Sequence, residues 1–155
     1  MSLAINLAVL AEGATFDSRG SLTLVAVNPQ TLVAEQFPAQ FAPIFVVTVG
    51  EDVEGDTYKV IVPGHGVKSR VQATDPDGNV VFYTQLQQVV PPVPHPNLPP
   101  RVQLIAQVPF AAQKGGEYKV SGRIEVTSAD GQEETVEAER KVLVVDLATL
   151  RGGTS

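Results

Sequence analysis

The chain has 155 residues, 43% of them hydrophobic and 6% aromatic, with no tryptophan, no cysteine and a net charge of −6. That length suits one domain able to bury roughly two-thirds of the surface its unfolded form exposes. The missing cysteine excludes disulfides, thiolate catalysis and thiolate metal sites, and the acidic balance disfavours nucleic acid, whose phosphates are met by Lys and Arg.

Residues Leu3 to Ala11 are largely apolar, but no Lys or Arg precedes them and Asn6 interrupts them. The run is too short to span a bilayer and lacks the basic start of a signal peptide, so it reads as a first strand. Ala4–Ala11 and Ser21–Val27 then form a hairpin about the turn Asp17-Ser18-Arg19-Gly20. Asp-Pro-Asp-Gly at 75–78 and Ser-Ala-Asp-Gly at 128–131 are turns of the same kind. Asp or Ser at the first position bonds its own backbone, and Gly at the fourth accepts the positive φ of a following bulge. Asn28-Pro29 stops the second strand, because proline has no N–H for a ladder.

Thr31–Gln36 has room for a turn of helix. Phe41–Val49 predicts a third strand, apolar on both faces from Ile44 to Val47, hence a central strand or one that meets a partner subunit. Glu51, Asp52, Glu54 and Asp56 make an acidic loop, solvated or weakly cation-binding, and Tyr58–Val62 a short edge strand. Val67, Ser69, Val71 and Ala73 alternate with polar residues, as do Val80, Phe82, Thr84 and Leu86, so a second hairpin surrounds Asp75–Gly78.

Residues 91–100, Pro-Pro-Val-Pro-His-Pro-Asn-Leu-Pro-Pro, suit neither ladder nor helix and predict an extended polyproline crossover. A strand over 102–108 follows. Tyr118, Val120, Gly122, Ile124 and Val126 then share one face of a long strand, and a last strand runs from Thr135 to Val145. Leu147–Leu150 could close with a helical turn. The core is built of Val, Leu, Ile and Ala, with Phe16, Phe37, Phe41, Phe45, Phe82 and Phe110 as its larger fillers.

These elements predict an all-β, two-sheet antiparallel β-sandwich of eight or nine strands, immunoglobulin-like or Greek-key in its connections. Residues 1–150 form a single domain and 151–155 a flexible tail. The order of landmarks, an early hairpin ending near Val27, then Phe37-Pro38-Ala39, Asp75-Pro76-Asp77-Gly78 and Gly116-Glu117-Tyr118-Lys119-Val120, resembles a group of bacterial β-sandwich proteins known only as a domain of unknown function. That resemblance implies a fold and assigns no site residues.

The chemistry-bearing residues are few. His65, in Pro63-Gly64-His65-Gly66, is the one candidate for a hydrolase or lyase, if a carboxylate stands nearby to orient it. His95 sits among prolines, and two histidines without cysteine fall short of the four ligands of structural zinc. Asp75, Asp77 and Gly78 suggest a calcium loop, but Thr84 stands where its closing Glu belongs. Lys68, Arg70, Lys119 and Arg123 would form a basic patch if their strands are neighbours, unless Glu125, Glu137 and Glu139 pair with them.

The expected function is therefore a non-catalytic protein-interaction or structural module without a cofactor. A small-ligand-binding sandwich is the other alternative, although Tyr58, Tyr83 and Tyr118 are few for stacking on sugar rings. The crossover residues Val93, Pro94, His95, Pro96 and Leu98 are the expected partner contacts, since a preformed polyproline segment loses little entropy on docking. Ile44, Val46, Leu143 and Val145 are the expected homodimer interface, because apolar residues on both faces of a strand leave one face to hide. No nucleic-acid or membrane partner is expected, and a cytoplasmic location fits the lack of cysteine.

Overall fold

The computed structural model describes residues 3–18, 21–29, 31–51, 60–93, 95, 98–128 and 130–148. Among them are eleven strands: β1 Leu3–Phe16, β2 Leu22–Val27, β3 Thr31–Ala34, β4 Ala39–Phe41, β5 Ile44–Glu51, β6 Gly66–Thr74, β7 Val80–Val89, β8 Val102–Gln107, β9 Phe110–Ala112, β10 Gly116–Thr127 and β11 Glu133–Asp146. Sheet I has the order β2-β1-β5-β8, sheet II the order β3-β11-β10-β6-β7, and β4 pairs with β9 as a small ladder. All pairings are antiparallel except β3 with β11.

One core lies between the sheets. Leu10, Phe45, Val47 and Leu104 of sheet I meet Val71, Tyr118, Val120, Ile124 and Val126 of sheet II. This is the face that alternation in β6 and β10 assigns to the interior, since successive side chains of a strand point to opposite sides. Gly122 leaves room for the opposite sheet: a Cβ there would stand 2.8 Å from Cε1 of Phe45. Phe45 and Phe110 are buried, while Phe37, Phe41 and Phe82 pack against the core from its margin.

The all-β, sandwich-like reading holds, with crossovers linking strands that are not consecutive. Several local expectations do not. Thr31–Ala34 is a strand, not a helical turn: Leu32 and Ala34 face inward while Thr31 and Val33 face out. The strand foreseen at Phe41–Val49 breaks at Ala42-Pro43, where Pro43 turns its carbonyl to the amide of Val108 (2.8 Å). Residues 60–62 form no strand, although Val60 and Ile61 are buried. The rest of that foreseen strand, including Tyr58, and the acidic positions 52, 54 and 56 lie outside the described residues. So do Arg19, Gly20, Pro94, Pro96, Ala129, the end of the last foreseen helical turn and the tail at 151–155. Leu147 and Ala148 begin that turn, with the Ala148 amide held by Oδ1 of Asp146 at 2.9 Å. No helix among the described residues is long and apolar enough to cross a membrane.

Candidate functional site

The outer face of sheet II is a polar surface that spans several strands. Its register sets Tyr83, Gln72, Ser121 and Glu139 in one row across four strands, and Gln85, Arg70, Arg123 and Glu137 in the next. Ser121 is short, and the long side chains around it frame a depression of about 330 Å³ lined by Arg70, Gln72, Tyr83, Arg123 and Glu137. The strands of the foreseen basic patch are indeed neighbours, and three of its four cations, Lys68, Arg70 and Arg123, meet carboxylates. Glu125 Oε1 stands 3.2 Å from both Arg70 Nη2 and Arg123 Nε, and Lys68 and Lys141 reach Glu133 and Glu117 at 3.9 and 3.8 Å. Cross-strand pairing of this kind keeps a solvated face in register.

Asp75 and Asp77 form the expected turn. Asp75 Oδ1 accepts the amides of Asp77 and Asn79, each at 2.9 Å, and Gly78 takes φ 87°. These bonds, foremost the one from the Asn79 amide, hold the Asp75 carboxyl below its ordinary range. Asp77 pairs with Lys114, whose ammonium is held above its usual range chiefly by that bond. The Ser128 hydroxyl likewise donates to Asp130 and lowers its carboxyl, closing the third turn. Among the described residues, no three His, Asp or Glu side chains gather as metal ligands.

His65 is half-buried at the turn into β6, where Nδ1 stands 3.2 Å from the carbonyl of Thr127. A backbone carbonyl can fix the ring's tautomer but adds no charge to make it a base. The Tyr118 hydroxyl donates to the Lys114 carbonyl at 2.8 Å, and burial pushes its phenol up. It props the turn before β10 and is closed to a ligand, leaving Tyr83 as the exposed aromatic of the sheet face.

The proline crossover runs beside the open end of sheet I. Between them lies a cavity of about 460 Å³ lined by Val89, Pro91, Val93, Leu98, Arg101 and Gln103, among others. Gln103 donates to Thr48 Oγ1 and receives on its carbonyl the side chain of Gln88, both at 3.3 Å, which forms the floor. Of the foreseen partner contacts, Val93 and Leu98 line this groove, His95 is exposed, and Pro94 and Pro96 lie outside the described residues. Sequence reasoning missed Val89 and Arg101, which flank the prolines. A valine two residues before a proline run, on the wet face of an otherwise polar strand end, was the available signal.

The foreseen dimer residues do not form one surface. Val46 is fully buried within the chain, Ile44 and Val145 are half-buried, and Leu143 is 43% exposed. Val46 fails as an interface residue because β5 is inner to its sheet and covered on both faces: Phe45, Val46, Val47, Thr48 and Val49 are all buried.

No protein-family model matches the sequence, and no curated protein is found similar to it. The resemblance to the bacterial domain of unknown function thus has no support beyond the β-rich fold. A solved structure of similar kind is the C-terminal domain of wzt, with a TM-score of 0.49 and 13% identity over 93% of this chain and 74% of that one. A likeness this distant has no bearing on function.

Proposed function

We propose that the chain is a non-catalytic protein-interaction module whose contact region is the groove between the proline crossover and sheet I. The observation that carries this reading is the apolar rim of the groove: Val89 and Leu98 are 62% and 47% exposed, beside a wall of Pro91, Pro92, Val93 and Pro99. Aliphatic side chains left open beside a stiff polyproline wall suit an extended segment that brings its own apolar anchors. Arg101 at the same groove favours a segment carrying a carboxylate next to those anchors. The ion-paired face of sheet II suits such a partner less, because interface centres are depleted in charge.

The test is capture of peptides from a display library on the full chain, compared with Leu98→Arg and Val89→Arg. The reading expects captured sequences rich in aliphatic and acidic residues, with binding lost in both variants while far-UV circular dichroism is unchanged. Capture indifferent to both substitutions would overturn it. A hydrolase or lyase using His65 is the rival, and turnover on a broad substrate panel that vanished in a folded His65→Ala variant would establish it instead.

A further inference from the structure

The crossover groove does not end at Val89. This valine closes β7 and stands opposite Gly66, the first residue of β6, in their ladder. Successive side chains of a strand alternate in direction. Gln88 therefore turns inward to the Gln103 carbonyl, while Gln87 and Val89 stay on the outer face of sheet II. Having no side chain, Gly66 gives Val89 no cross-strand partner, and the valine is left 62% exposed. A hollow of about 480 Å³ opens there, lined by Gly66, Lys68, Gln87, Val89, Thr127 and Glu133, among others. Gln88 and Val89 belong both to its wall and to the wall of the crossover groove. The two cavities are compartments on either flank of one exposed valine.

Their charges differ in a way that describes a partner. At the hollow, Lys68 and Glu133 stand 3.9 Å apart, and Glu125, which also lines it, holds Arg70 and Arg123 at 3.2 Å. In the groove, exposed Arg101 forms no ion pair among the described residues. A charge entering the hollow would compete with existing pairs, whereas Arg101 has a carboxylate to gain.

We propose that the segment bound by the groove crosses Val89 and seats a second, uncharged aliphatic side chain in the hollow at Gly66. This rests on the reading of the groove as a protein-interaction site and describes its partner further. The partner is an extended stretch with a carboxylate and one aliphatic anchor at the end of the groove near Arg101 and Leu98. Its second anchor follows about two to four residues on, since one valine side chain separates the compartments and an extended chain advances about 3.3 Å per residue. A segment filling the groove alone would leave the far flank of Val89 in water. One that crosses it covers both flanks, adding burial where the surface is already apolar.

Synthetic peptides test this, each carrying Asp beside Leu and a second Leu two, three or four residues further on, with Ala in that second place as control. Their affinity for the full chain is measured by isothermal titration calorimetry. At one spacing at least, the second Leu should tighten binding about tenfold over Ala. That gain should vanish in Gly66→Val, which fills the hollow from a position where an added Cβ meets nothing within 4 Å. Gly66→Ala should remove part of the gain, and it serves if the valine variant does not fold. Leu98→Arg should weaken the Leu and Ala peptides alike. A second Leu that adds nothing at any spacing, or a gain that survives in both folded Gly66 variants, overturns the second compartment and leaves the groove reading in place. Peptides that bind but ignore Leu98→Arg, or a series in which none binds at millimolar concentration, overturn the groove reading and this proposal with it.

Discussion

Arg70 and Arg123 stand directly opposite each other in the β6–β10 ladder, an arrangement that repels unless a carboxylate intervenes. Glu125 intervenes for both, and its side chain is largely buried between them. Glu125→Gln should therefore lower stability by about 1 kcal/mol in low salt, with less loss at high ionic strength. Urea denaturation at two salt concentrations checks it, and an equal loss at both would refute the electrostatic account. Gly122 is the second sensitive residue. A methyl there meets the ring of Phe45, which is fully buried, so Gly122→Ala should cost about 1–3 kcal/mol by overpacking. Asp75 links stability to pH. Its carboxyl is depressed below the ordinary 3.8 in the folded chain, so what it contributes is present above 3.8 and lost as pH falls through the lowered value. Asp75→Asn should melt lower than wild type at neutral pH, and that gap should close in acid. A gap that is constant with pH would show that the turn's geometry, not its charge, matters.

At the scale of elements, β3 shows where sequence reading stops. Alternation of side chains was legible in β6, β7, β10 and β11 because each is nine residues or longer and repeats the pattern several times. Thr31–Ala34 repeats it twice, too few to separate a strand from a helical turn, and its parallel place beside β11 is a long-range choice. The strand nonetheless supplies Leu32 to the core, so Leu32→Ala should destabilise by about 2–5 kcal/mol, as burial predicts and an exposed helical turn would not. The turns were legible for a different reason: Asp17 and Asp75 bond the backbone a few residues on, and Ser128 bonds Asp130, so the chemistry is local. The crossover groove was half legible. The prolines announced a stiff connection, but only the packing of Gln88, Gln103 and Thr48 beside it makes a cavity. Nothing in residue spacing locates Arg101 there. Dimer residues chosen for being apolar on both faces proved unreliable for Val46, because an inner strand of a sheet has the same signature as an interface.

For the whole molecule, a single core shared by both sheets means that neither sheet is stable without the other. Unfolding in urea should give one transition, with near-ultraviolet and far-ultraviolet circular dichroism coincident, and separated transitions would contradict the one-core description. The order in which the chain visits the two sheets has a further consequence. It leaves sheet I after β2, returns at β5, leaves again for β6 and β7, returns at β8 and finishes in sheet II with β10 and β11. The inward faces of Leu10, Phe45 and Leu104 therefore wait for Val120, Ile124 and Val144, which are made after all three. A ribosome that has made the chain only as far as β8 holds valine-rich strands of sheet I with β6 and β7 alone to cover them. Completion of the core must then wait for β10 and β11, and a translation product cut short before β10 is a client for chaperones and proteases, with no half that can stand as a smaller domain.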